Sequence, residues 1–432
     1  MPATIAASGT YTLEIDTGNP VRAFTLDNST RGVLDGTEYV LDGVSDYADV
    51  TEYVTRLTVT RGRENIDDQF ATGILSFILN DTAAAGVFNP FANDSPYYDP
   101  ANDEPGLAPN RPVRLYRGTE LLFTGRIIDY NYHFGLAGDD TVSVQCADDM
   151  YLLAQTVLDN NTISQELSGT RVEYILDLPE VNYPTGAARD IAAGTVTLAG
   201  QHGGGGGGHV ADTQLGDNVL DYLQRVRQSE QGRLFVGRDG VLHFENRIGA
   251  TLSAKIADFR DDGTGYPYRA VNVDFESDKI VNLVFVTTIN DHTGTAEDTA
   301  SQAKYFVQSE ALTDTFLNSD ADAETLAAYL LNGEPEPTFN VVTVGFPEMT
   351  DAQRDTIATA DIGDTIAITK TFVNGATTTT LTQELAVEGL RHEITVRGGH
   401  ETTFYTSPTT IVFELLLDDA TYGTLDGSNV LG

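Results

Sequence analysis

Three strand-like segments of this chain recur, in the same order, in its second half. Val113-Arg114-Leu115 matches Ile366-Ala367-Ile368, Phe123-Thr124-Gly125-Arg126-Ile127 matches Val387-Glu388-Gly389-Leu390-Arg391, and Val142-Ser143-Val144 matches Thr402-Thr403-Phe404. Any two antiparallel β domains share alternating Val and Ile, so each match alone is weak. Their order, and a glycine at the same point of the central strand, argue for duplication. The entrance strands extend the match, since Asn80-Asp81 and Asn290-Asp291 each end a strand rich in Thr and Ile. The expected fold class is mainly β with an α+β insertion: two related tube-like β-barrel domains.

The rest of the pattern sets the expected boundaries. Alternation at Val54, Leu57 and Val59, then at Ile74 to Leu79, opens a first barrel over 47–158. Within it a Pro- and Asn-rich stretch from Phe88 to Pro109 reads as a long irregular loop with a candidate binding role. A helix over about 148–158 closes the unit.

Residues 159–265 have another texture. Six glycines, Gly203 to Gly208, lie between His202 and His209 and read as a flexible loop. Val219, Leu220, Leu223 and Val226 mark one face of a helix, and Asp239-Gly240 joins two strands as a hairpin. The second barrel is assigned to 266–408, with helices near 321–331 and 351–358, the latter capped by Thr350. Arms of 1–46 and 409–432 remain. With 41 Gly, 19 Tyr and 19 Phe, the composition favours strands and turns over helix bundles.

Charge narrows the partners. The 64 acidic residues outnumber 25 basic ones, and Lys occurs only at 255, 279, 304 and 370, giving a net charge of -39. Sequence-specific or phosphate-directed nucleic acid binding is not expected. Such a surface serves solubility, or lets DNA slide past without sticking. No run reaches the apolar length of a membrane span, and the first residues carry no basic head with an apolar stretch, so synthesis in a cytoplasm is expected. The single cysteine, Cys146, alternates with Val142 and Val144 and reads as a core residue.

The two arms carry one shared motif, L-D-[DN]-x-T-x-G-x-L-D-G. Its candidate docking residues are Leu26, Asp27, Gly32, Leu34 and Asp35 in the first copy, and Leu417, Asp418, Gly423, Leu425 and Asp426 in the second. Asp27, Ser29, Gly32, Asp35 and Glu38 stand at positions that resemble a calcium loop, but Arg31 occupies a ligand position. A turn between apolar anchors fits both copies better. Each copy is expected to lay its leucines into a matching apolar site on a barrel or on a neighbouring subunit.

Catalytic signatures are missing: there is no phosphate-binding G-x-x-x-x-G-K, no H-E-x-x-H, no G-x-S-x-G and no dinucleotide fingerprint. The histidines at 133, 202, 209, 243, 292, 392 and 400 lack ligand spacing. Neither an enzyme, nor a metal site, nor a cofactor is expected.

Several short segments together resemble the minor tail proteins that serve as baseplate or tail-tip hub in long-tailed phages. They are Asp49-Val50-Thr51-Glu52-Tyr53-Val54, Arg61-Gly62-Arg63, Leu79-Asn80-Asp81, Phe88-Asn89-Pro90, Arg111-Pro112-Val113-Arg114 and Phe123 to Ile127. Further on come Ser229 to Val236 with Asp239-Gly240, Asp361-Ile362-Gly363-Asp364, Val387 to His392 and Leu425-Asp426. The resemblance implies a structural virion protein of the tail tip. It implies a homotrimer whose six barrels adapt a sixfold tail tube to a threefold central fibre and line the DNA exit channel. The implied partners are a distal tail protein or tube ring, a tape measure protein, and the central fibre or other minor tail proteins. Two other readings compete: an adhesin using the 88–109 loop, and a wall-degrading enzyme.

Overall fold

The computed structural model describes residues 4–5, 10–17, 47–65, 68–99, 104–136, 138–159, 161, 163–200, 217–247, 254–397 and 399–408. Its dominant element is a 13-stranded sheet. The first strands are β1 (Tyr11–Asp16), β2 (Tyr47–Asp49), β3 (Val54–Gly62), β4 (Ala71–Asn80), β5 (Pro112–Arg117), β6 (Glu120–His133) and β7 (Thr141–Ala147). The later ones are β8 (Lys255–Arg260), β9 (Ala270–Asp274), β10 (Thr338–Gly345), β11 (Thr365–Asn374), β12 (Thr377–Thr395) and β13 (Gly399–Pro408). The mainly β class with an α+β insertion holds.

The pairing order shows the repetition directly. One half runs β3-β4-β7-β6-β5 and the other β9-β10-β13-β12-β11. Each half thus takes its strands in the order first, second, fifth, fourth, third, with antiparallel neighbours throughout. The three matched segments fall on β5, β6 and β7 and on β11, β12 and β13. The entrance match does not hold. The counterpart of β4 in the second half is β10, whereas Asn290-Asp291 turns between Leu283–Thr287 and Thr293–Glu297 in a separate three-stranded sheet. Asn-Asp suits any turn, since both residues tolerate the left-handed conformation that Asp291 adopts at φ 61°.

The halves are joined by hydrogen bonds. From its tip to Ala386, β12 pairs with β11; from Gly389 onward the same edge pairs with β3, while β13 follows the opposite edge along the way. The change of neighbour occurs at a bulge at Glu388. Gly62 and Gly389 are partners there. A Cβ on Gly62, whose φ is +83°, would lie 2.3 Å from the Glu388 carbonyl oxygen, and one on Gly389 would lie 2.4 Å from that of Arg63. Only glycine lets the two backbones approach this closely.

Alternation places Leu57, Val59, Leu75, Phe77, Val144 and Leu390 on the inner face, each at most 2% exposed. They share one apolar cluster with Ile366, Ile368 and Phe404 of the second half. Cys146 belongs to it, and burial pushes its thiol up. A second cluster holds the insertion. It is built on Val172, Ile175, Tyr222, Leu223 and Val226 of the helices Ser168–Leu176 and Val219–Glu230.

Three sequence boundaries shift. Tyr11–Asp16, expected in the N-terminal arm, is a strand of the main sheet and buries Leu13 and Ile15. Lys255–Arg260, assigned to the insertion, pairs in parallel with β11. Val284, Val286, Phe316, Leu317 and Leu326, assigned to the second barrel, pack in the insertion's cluster. In each case side-chain burial overrode a boundary read from local texture.

Candidate functional site: the junction and the open sheet face

Some of the segments that carry the resemblance, scattered through the sequence, meet at the seam between the halves: Arg61-Gly62-Arg63, Ser229 to Val236 with the Asp239-Gly240 turn, Asp361 to Asp364 and Val387 to His392. Arg61 points inward with Leu57 and Val59, against the apolar pattern, and its guanidinium binds Asp361. Arg63 donates to Glu388 Oε2 from Nε at 3.0 Å and from Nη2 at 2.8 Å. Arg233, from the insertion's hairpin, donates to Glu388 Oε1 at 3.0 Å and to Glu245 at 3.2 Å. Ser407 of β13 adds a fourth bond at 2.8 Å. Burial alone would raise the Glu388 carboxyl, but the two arginines and their hydrogen bonds outweigh it and pull the group down to about 2.

An apolar contact completes the seam, with Phe70, Phe235 and Ile362 forming a small buried cluster of their own. The Arg63 guanidinium lies 4.5 Å from the Phe70 ring centroid. The predicted Asp239-Gly240 hairpin turn is present, with Gly240 at φ +85°. It carries Arg238, whose backbone N–H donates to Asp361 at 2.8 Å and whose side chain donates to the Leu121 carbonyl at 2.6 Å. One hairpin of the insertion therefore grips both halves.

The outer face of the sheet is the second feature. One row across it reads Thr343, Thr403, Arg391, Thr60 and Ile74; the next reads Glu401, Glu393, Thr58, Ser76, Gln145 and Asp129. A third reads Thr395, Arg56, Ile78, Ser143 and Asn131. None of these side chains is buried. Hydroxyls and short amides dominate, and the cations are matched. Arg56 binds Glu393 at 2.7 Å, Arg391 lies 3.6 Å from the same carboxylate, and Arg269 binds Glu401 at 2.6 Å. An antiparallel sheet solvated on one face is ordinary. One that continues across two duplicated halves makes a broad polar wall with little to hold a polyanion.

Near one end of the wall the start of the 88–109 loop is pinned rather than free. Phe88 is buried; its N–H donates to Asp81 at 3.0 Å, and its carbonyl accepts from Tyr130 at 2.6 Å. Asp81 also accepts from Tyr132. Phe91, three residues on, is 83% exposed.

Leu26, Asp27, Gly32, Leu34, Asp35, Leu417, Asp418, Gly423, Leu425 and Asp426 lie outside the described residues, as do His202, His209 and the glycine run. Sequence reading missed one close pair. His392 Nδ1 and His400 Nε2 are 2.9 Å apart on adjacent strands, with Tyr11 bonded to His400 Nδ1 at 2.8 Å. Burial holds His392 down at about 3, and His400 well below the usual histidine range. The signal was present, since residues 392, 400 and 402 sit at inward positions of the alternation. Among the described residues no group of three or more His, Cys, Asp or Glu is placed to hold a metal, and no helix is long and apolar enough to cross a membrane.

No family model matches the chain, and no curated protein is detectably similar to it. Solved structures do match. A tail protein from Neisseria meningitidis aligns over 84% of this chain and 94% of its own, at TM-score 0.52 and 10% identity. A prophage tail protein from Shewanella oneidensis aligns over 93% and 97%, at TM-score 0.53 and 10% identity. A prophage tail protein from Listeria monocytogenes aligns over 93% and 96%, at TM-score 0.50 and 9% identity. At these identities the likeness is one of fold, and the fold is the one these tail proteins share.

Proposed function

We propose that this protein is a structural part of a phage-type tail: a hub at the tail tip, three copies of which form a ring of six similar units around a channel. The observation that carries the reading is the identical strand order of the two halves. Two equivalent units per chain, repeated by a threefold axis, present six equivalent positions to a sixfold tube and three to a central fibre. The open sheet face supplies a channel wall. Arg56, Arg391 and Arg269 are paired with carboxylates and most neutral groups of the three rows are small, so passing DNA finds few free cations there. The role is assembly rather than bond chemistry, with a tube ring or distal tail protein on one side, a tape measure protein within, and a fibre or other minor tail proteins on the other.

Native mass spectrometry and electron microscopy of the purified chain test this reading. The expected result is a trimer with six lobes around a central hole. A monomer at assembly concentration would overturn it.

A second reading, an adhesin, has one observation in its favour: Phe91 projects from a loop anchored at Phe88. Removing 89–97 would abolish binding of the isolated protein to host cells under that reading and leave assembly intact under the first.

A further inference from the structure

An open cavity of about 290 Å³ lies where the two halves meet at the end opposite the β12 tip. Tyr11 begins β1 on one side, Arg117 ends β5 beside it, Phe346 and Arg354 come from the connection between β10 and β11, and Ile394 and His400 flank the β12–β13 turn. Its floor is aromatic and neutral: the His400 ring stacks on Phe346 with centroids 3.6 Å apart, and Tyr11 bonds the same imidazole. With both histidines uncharged, the positive charge of the cavity comes from Arg117 and Arg354.

Arg117 is not fully answered, and Arg354, whose Nε donates to the Phe346 carbonyl at 2.7 Å, meets only a solvated acid. Arg117 binds Asp355, and Arg354 binds Asp351 at 2.9 Å, but those carboxylates are 64% and 89% exposed whereas the Arg117 side chain is 12% exposed. Water screens the acids more than the bases. The Nε of Arg117 is buried without a hydrogen-bond partner. Ile5, Ile394 and Val396 line the remaining wall. The site therefore suits a carboxylate carried next to a branched aliphatic side chain.

The chain contains such a segment. Residues 409–432, outside the described set, hold Glu414, Asp418, Asp419 and Asp426 with no Lys, Arg or His, and twice place Leu directly before Asp, at 417–418 and 425–426. The other copy of the motif, near the start, is flanked by Arg22 and contains Arg31, and so matches the cavity less well. Pro408 stands at the far end of β13 from His400, about 27 Å away at strand rise. Both Leu-Asp pairs can return that distance along an extended chain.

We infer that the C-terminal segment docks in this cavity of its own chain, one Leu-Asp pair placing the carboxylate on Arg117 and Arg354 and the leucine against Ile5 and Ile394. Cysteine linking in the full chain tests it, because the native Cys146 is buried. Thr10→Cys at the rim is combined with Leu417→Cys or Leu425→Cys and oxidised. One pair is expected to give a disulfide within the chain, with a yield that drops about fivefold in 1 M salt, where charges are screened beyond a few ångströms. Arg117→Gln with Arg354→Gln is expected to lower the yield at low salt as well. Linking no better than with Ser143→Cys on the open sheet face would overturn the inference. So would a link formed between chains, or one formed instead by Leu26→Cys.

Discussion

Arg63 and Glu388 lie 325 positions apart in the chain, yet Arg63 closes on one carboxylate oxygen of Glu388 with two hydrogen bonds of 3.0 and 2.8 Å. Arg233 holds the other oxygen, so an amino acid from each half and one from the insertion share a single buried charge. Removing that charge strands two cations. Glu388→Gln is expected to destabilise the protein by about 3–5 kcal/mol, as loss of one partner of a buried pair does. Denaturant titration at neutral pH measures it.

The same carboxylate makes an acid transition. Its pKa falls from 4.5 to about 2 on folding. A lowered acid stabilises the fold above its unfolded pKa and loses that contribution as pH falls through the folded one. About 3 kcal/mol should therefore disappear between pH 4.5 and 2 in the wild type. Glu388→Gln, already weakened, should show a flatter profile across that window in urea titrations at stepped pH.

Asp148 should behave in the opposite sense. It is buried at the end of β7, accepts N–H groups from Gly73 at 2.7 Å and Met150 at 3.0 Å, and burial still raises it to about 7. A raised acid contributes fully below its unfolded pKa, near 3.8, and loses that contribution as pH rises to about 7. The stability gap between wild type and Asp148→Ala should narrow as pH goes from 4 to 7. Unfolding midpoints of both proteins at four pH values read this out.

Backbone contact at the seam is open to a cleaner test. Gly62→Ala would push a methyl into the Glu388 carbonyl at a positive φ, and is expected to cost about 3 kcal/mol or more. Gly118→Ala is the control: its φ is also positive, at +58°, but nothing lies within 4 Å of the added Cβ. That change should cost only about 1 kcal/mol. Thermal unfolding of the two variants separates contact from conformation.

If the open face is a channel wall, its failure to hold DNA should depend on its charge. Ser76→Lys with Ser143→Lys adds two cations whose cross-strand neighbours, Thr58, Gln145, Ile78 and Asn131, carry no charge. Duplex DNA should then be retarded in low salt and released as salt rises, while the wild type leaves it unretarded. Fluorescence anisotropy with a labelled duplex at stepped ionic strength distinguishes the outcomes.

Many strands were legible where one face had to be apolar, although β1, which buries Leu13 and Ile15, and β10, which buries Val342 and Val344, were not read. Leu57 and Val59, or Val142 and Val144, announce a pleat with one buried side, and the structure puts strands there. The outer part of β11 and β12 escaped because Thr377, Thr378, Thr379 and Thr380 are exposed one after another and leave no alternation to read. The junction was legible only as exceptions. Arg61 occupies an inward position after two apolar ones, and Glu388 interrupts the run from Leu385 to Leu390. Nothing local says which distant charge answers each, since pairing across the seam is set by topology.

A strand that leans on β11 for part of its length and on β3 for the rest is also a mechanical coupling. A load drawn along β12 stretches many ladder bonds together in shear, whereas a load across it would peel them one at a time. The chain therefore ties its two halves along its stiffest direction, and a push on either one is felt by the other with little give.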